Sequence, residues 1–224
     1  MKVELEITLR CNARCPSCER HCNIVDWGTT DMTLAQVRKF VKEAARGRPL
    51  ELVSVMGGEP TLHPRFGRVL SILREGLLEK GKAHEIRIAT NGKLPMPPEA
   101  EGLPTYVVTP AEKNHRCQLV APADMGQEYR QCPIPFTCGI SLTRFGYTPC
   151  GSGGAIARLF DLPFTRYQLP QSVAEFGDIL PLCRLCQRGA ADMMMVRDHG
   201  DIRSKSYRQH IRKHQAHPRQ LRDY

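Results

Sequence analysis

Three cysteines, Cys11, Cys15 and Cys18, lie in the spacing C-x3-C-x2-C. Three thiolates on one short loop bind three irons of a cubane iron–sulfur cluster and leave the fourth iron without a protein ligand. Such an iron can take a substrate or cofactor directly and pass it an electron, whereas a centre with four protein ligands is coordinatively closed, as structural zinc sites are. Cys22 extends the run to C-x3-C-x2-C-x3-C, and four thiolates so spaced could instead enclose zinc as a knuckle. Outside that alternative, Cys22 and Cys117 read as small buried residues. A second group, Cys132, Cys138, Cys150, Cys183 and Cys186, supplies five thiols where one cubane needs four, and its last pair is a C-x2-C chelate. Cys150, Cys183 and Cys186 are the firmest ligands. Cys132 and Cys138 compete for the fourth place, or one of them faces substrate; spacing alone does not separate zinc from iron–sulfur here.

The elements that must position these groups follow from periodicity. Val3, Leu5, Ile7 and Leu9 alternate with Lys2, Glu4, Glu6 and Thr8, the period of a strand that delivers the chain to Cys11. Asp31 or Thr33 caps a helix in which Leu34, Val37, Phe40, Val41 and Ala44 recur at helical spacing, ending near Gly47 and Pro49. Leu50 to Met56 reads as a buried strand that stops at Gly57, Gly58, Glu59 and Pro60. A helix is expected from Phe66 to Leu78, a strand from Glu85 to Thr90 closed by Asn91 and Gly92, and a strand from Tyr106 to Thr109, with a fifth at Gln118 to Ala121. Alternating strands and helices imply α/β architecture with a parallel sheet, and in such sheets ligand chemistry gathers beyond the C-terminal strand ends, where Cys11 and Gly57 to Pro60 both fall. Ile140 to Thr148 looks like a hairpin turning near Phe145 and Gly146. We expect a main domain over 1–130, a small metal-bearing appendage over 131–190 and a basic tail over 191–224.

With these residues in place, the chain resembles the radical S-adenosylmethionine (radical SAM) family: CNARCPSC, from Cys11 to Cys18, matches its cluster signature, and MGGEP, from Met56 to Pro60, its glycine-rich methionine-binding segment. The resemblance implies a partial (β/α) barrel and a [4Fe–4S] cluster whose open iron is chelated by SAM. It also implies reductive cleavage of SAM to a 5′-deoxyadenosyl radical that abstracts hydrogen from a substrate, and an electron donor such as flavodoxin or ferredoxin. By the same resemblance, Gly57, Gly58, Glu59, Thr90 and Asn91 contact SAM, the glycines because a bare backbone approaches a ligand closely and Glu59 as an acceptor for the SAM ammonium. The sequence departs from the family at Ser17, where an aromatic residue usually sits near the adenine. CGISLTRFGYTPC, from Cys138 to Cys150, resembles the SPASM and twitch appendages that hold auxiliary clusters; the cysteine count suits the shorter twitch type, with a second [4Fe–4S] cluster. His63 follows MGGEP closely enough to line the site, and His84 and His115 receive no role.

Charge and composition narrow the setting. No apolar run approaches the ~18 residues a membrane span needs, and the first residues lack the order of a signal peptide, so a cytosolic protein without a membrane partner is expected. Cytosolic thiols stay reduced, which favours metal ligation over disulfides for ten cysteines. From Arg197 to Tyr224 eight Lys and Arg face three Asp, so this stretch carries five of the nine net positive charges. That stretch is either a solvated terminus or a polyanion-binding arm. Three readings of function follow: modification of a nucleic acid or modified nucleobase, maturation of a peptide or protein, and a non-enzymatic metal-stabilised module that binds nucleic acid.

Overall fold

The computed structural model describes residues 1–15, 18–22, 29–108, 132–186, 205–217 and 221–224. The chain begins with β1 (Lys2–Glu6) and, beyond the cysteine loop, enters α1 (Leu34–Arg46). Thr33 caps α1 as expected: its hydroxyl accepts from the Gln36 amide and the Gln36 side chain returns to the Thr33 amide, satisfying two donors that a helix start leaves without partners. Then come β2 (Leu52–Met56), α2 (Phe66–Leu73) running into one wider turn over Arg74–Leu78, β3 (Ile86–Thr90) and β4 (Thr105–Val107). A short α3 (Ile134–Thr137) precedes β5 (Ile140–Thr143) and β6 (Gly146–Thr148). Three helices follow: α4 (Gly151–Phe160), α5 (Leu180–Cys183) and α6 (Lys205–Ala216). The strands form one sheet in the order β4-β3-β2-β1-β5-β6, parallel except for β6. Thr109 and the strand expected at Gln118 to Ala121 lie outside the described residues, as do Ser17, His115 and Cys117.

The two faces of this sheet differ. Val3, Leu5, Val53, Val55, Ile86, Ile88, Ile140 and Leu142 meet Val37, Phe40 and Ala44 of α1 and Phe66, Val69, Leu70 and Leu73 of α2 in the main core. Each large side chain buried there contributes roughly 1.5–3 kcal/mol. The opposite face is polar and also buried. The register puts Glu4 beside Ser54 and Ser141, and Glu6 beside Met56 and Thr143, while Ser54 pairs with Arg87. The alternation in β1 therefore separates an apolar face packed on helices from a charged face packed inside the protein, with Glu4 at 6% exposure and Glu6 at 1%.

Two expectations about the C-terminal half change. β5 lies in parallel register against β1, so the hairpin is part of the main sheet, and the boundary placed at 131 does not separate it. The physical reason is that β1 would otherwise present an edge of unpaired backbone groups, and every residue of β5 is buried. The basic stretch is also not a loose tail over its described part. Tyr207 and Ile211 of α6 pack with Leu9, Phe145 and Leu159, and His214 Nε2 lies 2.9 Å from the Leu159 carbonyl. Farther on, the Tyr224 amide donates to the Arg144 carbonyl at 2.7 Å, and the Tyr224 and Tyr147 hydroxyls both donate to Glu43 Oε2.

Candidate functional site

Strand ends build the site. Past β1 the backbone keeps pairing with the segment after β2: Ile7 N donates to Met56 O, Gly58 N to Thr8 O and Glu59 N to Arg10 O, at 2.7 to 2.9 Å. A side chain at Gly57 would meet the Thr8 carbonyl and one at Gly58 the Arg10 carbonyl. The glycines thus permit the close approach of this segment to the chain entering the cysteine loop. Cys11, Cys15 and Cys18, each half-buried, then face one cleft of about 330 Å³ together with Gly57, Gly58, Thr90 and Asn91.

Glu59 does not line that cleft. Its side chain is fully buried beneath the loop, where Oε1 accepts from the Thr61 amide (3.2 Å), the Thr61 hydroxyl (2.7 Å) and the Thr90 hydroxyl (2.8 Å), and Oε2 from the Asn91 amide (2.7 Å). Four donors already surround the carboxylate for which the resemblance implied a contact with the SAM ammonium, and it fastens the glycine segment to the end of β3. The Asn91 amide group donates in turn to Asn12 Oδ1 at 2.7 Å, which ties the end of β3 to the cysteine loop itself. His63 also stands outside the cleft. Its Nδ1 accepts from the Arg65 amide and its Nε2 lies 2.9 Å from the Met32 carbonyl, a pattern that assigns the neutral ring with the proton on Nε2. Burial lowers its pKa from the ordinary 6.5.

Further groups line the cleft or stand beside it. Cys22 lines it beside the first three cysteines, within reach of Cys18, so it is not an isolated core residue. His21, in the left-handed conformation and 1% exposed, meets the Tyr207 ring of α6 edge-on at 5.0 Å. Glu4, Glu19, Arg20 and Met56 form the floor. Arg20 donates to Glu4 Oε2 at 2.8 Å, lies 3.2 Å from Glu6 Oε1 and reaches Met56 Sδ at 3.0 Å. Burial alone would lower its pKa, but the two carboxylates more than offset that and raise it. Alternating charge in β1 was the available signal: Glu4 and Glu6 share a face, and a buried face with two carboxylates demands a cation.

The second cysteine group divides. Cys132, Cys150, Cys183 and Cys186 share one small cavity walled by Ile134, Pro135, Ile179 and Leu182. Cys138 is not among them; it ends α3, and burial raises its thiol above the ordinary range with Glu4 adding to the effect. Of the two competitors, the cavity takes Cys132. Burial, with Cys186 nearby, also holds the Cys150 thiol well above its ordinary range, so ligation there must displace a proton. The donor sets fit iron–sulfur clusters: three thiols on a cleft with room for a further ligand, and four thiols on one small cavity. Among the described residues no three His, Cys, Asp or Glu side chains converge as closely as a single metal ion requires. No helix among the described residues is long and apolar enough to cross a membrane.

Residues 5–108 match the family model described as Radical SAM superfamily. The chain is 28% identical over 98 residues to the S-adenosylmethionine-dependent nucleotide dehydratase of Selenomonas ruminantium, covering 44% of this chain and 32% of that protein. It is 36% identical over 91 residues to the tungsten-containing aldehyde ferredoxin oxidoreductase cofactor-modifying protein of Pyrococcus furiosus, covering 40% of this chain and 23% of that protein. The chain thus spans about a third or less of the length of these relatives. A solved structure, BtrN in complex with AdoMet and 2-DOIA, superimposes with a TM-score of 0.58 at 16% identity over 89% of this chain and 96% of that one, a likeness of fold.

Proposed function

We propose, from the premise that residues 5–108 form a radical SAM superfamily domain, that this chain cleaves SAM reductively and uses the resulting radical to take a hydrogen atom from a substrate. The match of residues 5–108 to the model of an enzyme superfamily favours an enzyme over the non-catalytic alternative. The observation that carries the reading is the convergence of Cys11, Cys15 and Cys18 with Gly57, Gly58, Thr90 and Asn91 on one cleft. When bound, a [4Fe–4S] cluster with an open iron supplies the electron that splits SAM into methionine and a 5′-deoxyadenosyl radical. The three cysteines hold the cluster and the backbone of Gly57 and Gly58, with Thr90 and Asn91, receives the amino-acid end of SAM. Glu59 acts from below by fixing the segment that presents those groups. On this reading the sheet is the partial barrel of the superfamily. Cys132, Cys150, Cys183 and Cys186 hold a second [4Fe–4S] cluster in a twitch-like unit, and the electron donor is a flavodoxin or ferredoxin.

For the substrate we favour a nucleic acid or modified nucleobase. Support comes from the relative named as a nucleotide dehydratase and from the exposed edge of α6, where Lys205, Arg208 and Arg212 border one hollow. Maturation of a peptide or protein is the second reading, favoured by the clustering of four cysteines in the twitch-like part.

The test is direct. Anaerobically reconstituted protein with a strong reductant converts SAM to 5′-deoxyadenosine, and Cys15→Ala abolishes the conversion. Unchanged production by the variant rejects the assignment. For the substrate class, binding to DNA and RNA should weaken steeply with salt, by a slope near −0.9 per duplex phosphate neutralised, and a triple Glu substitution at Lys205, Arg208 and Arg212 should flatten it. Salt-insensitive or undetectable binding favours the peptide reading.

A further inference from the structure

The loop that carries Cys18 is fastened by its next two residues to an element far away in sequence. Glu19 Oε2 accepts from the Ser152 hydroxyl at 3.1 Å. Arg20 runs beneath the cleft, between Glu4 and Glu6, and its guanidinium rests against the bare backbone of Gly151; any Cβ there would fall on the guanidinium itself. Gly151 and Ser152 open α4, and the residue before them is Cys150, which lines the second cysteine cavity with Cys183 and Cys186. From Cys18 to Cys150 two contacts therefore bridge the gap, each reached within two residues of either cysteine: Glu19 to Ser152 and Arg20 to Gly151. This junction is stiff. α4 is buried from Gly151 to Leu159, and the Arg20 side chain, at 12% exposure, is held by two carboxylates and a thioether. A shift of Cys150 therefore bears on Gly151 against Arg20 and on Ser152 against Glu19.

We propose that Glu19 and Arg20 are positioning residues that couple the second cysteine site to the cluster loop, so that the state of Cys150, Cys183 and Cys186 sets the geometry around Cys18. The inference rests on the reading of the first site as a SAM-binding cluster. Arg20 acts through Cys18 and the cleft floor, not on a reacting atom. Gly151 is part of the same device, because only a glycine lets the guanidinium lie on the helix start.

The test is a double-mutant cycle on the full chain, reconstituted anaerobically, with Cys183→Ala on one axis and Arg20→Met on the other. The readouts are iron content, SAM affinity by titration, and the change that SAM induces in the low-temperature electron paramagnetic resonance of the reduced protein. That difference spectrum isolates the cluster that binds SAM. In the native background Cys183→Ala should weaken SAM binding by about fivefold or more, the low end of coupling between sites, and alter the difference spectrum. In the Arg20→Met background it should do neither, while Arg20→Lys restores part of the response. Additive effects of the two substitutions overturn the proposal. Gly151→Ala provides a second arm that removes no thiol and no charge: it should retain native iron content yet change the SAM-induced spectrum. A native spectrum in Gly151→Ala overturns the proposal, as does a lowered melting temperature without spectral change, the mark of a merely structural contact. Absence of any SAM-dependent signal in the unmodified protein overturns instead the radical SAM reading, and the coupling with it.

Discussion

Replacing Glu59 by Gln separates a residue that touches SAM from one that holds the loop in place. Its carboxylate receives four hydrogen bonds, three on Oε1 and one on Oε2. An amide has the same shape but one oxygen becomes a donor. One orientation turns that nitrogen toward the Asn91 amide, losing one bond and setting two donors face to face; the other sets it against the Thr61 amide, with the Thr61 and Thr90 hydroxyls turning to accept. Hydrogen bonds to charged groups contribute about 1.5–3 kcal/mol each, and the three that survive become bonds to a neutral amide. A loss of roughly 3–5 kcal/mol follows. For a chain of this size each kcal/mol lowers the melting temperature by about 2–4 °C, so a fall on the order of 10 °C is expected by calorimetry or circular dichroism. Because Asn91 also holds Asn12, the KM for SAM should rise along with the loss of stability. An unchanged melting temperature with a strongly raised KM would refute the reasoning, since it would mean that the carboxylate spends its hydrogen bonds on the ligand and not on Thr61, Thr90 and Asn91.

Three further outcomes are expected. On the proposed reading of two cubanes, Cys132→Ala should lower bound iron from about eight to about four per chain while Cys138→Ala leaves it unchanged; equal losses, or stoichiometric zinc without charge-transfer absorption, would count against the assignment. Tyr207→Ala removes a ring that is 1% exposed and should cost about 3–5 kcal/mol, and by freeing His21 it should hasten iron loss in air; a melting temperature within error of native would show that α6 does not brace the cysteine loop. Stability should fall as pH drops below about 6.5, because His63 takes a proton in the unfolded chain at its ordinary pKa while burial keeps it neutral in the folded one. Urea unfolding across that range should show a shallower pH dependence for His63→Asn, and identical slopes in the two proteins would exclude His63 as the source.

The sequence alone determined what is local. Alternation in β1, the Thr33 capping box, the end of β2 at Gly57 and Gly58, and the three-cysteine spacing are set by contacts within a few residues, and each stands in the structure where periodicity and residue type put it. The α6 helix was legible in principle, since Tyr207, Ile211 and His214 recur at helical spacing, but the charges around them dominated the composition. Tertiary structure decided which face of β1 needs a cation, because Glu4 and Glu6 are costly only once β2 and β5 flank them and Arg20 closes over them. It decided that Glu59 fastens the loop to the end of β3, since Thr90 and Asn91 lie 31 and 32 residues away and reach it only through the β2–β3 register. It also parted Cys132 from Cys138: six residues apart in the chain, the first lines the cavity with Cys150, Cys183 and Cys186, and the second, at the end of α3, does not.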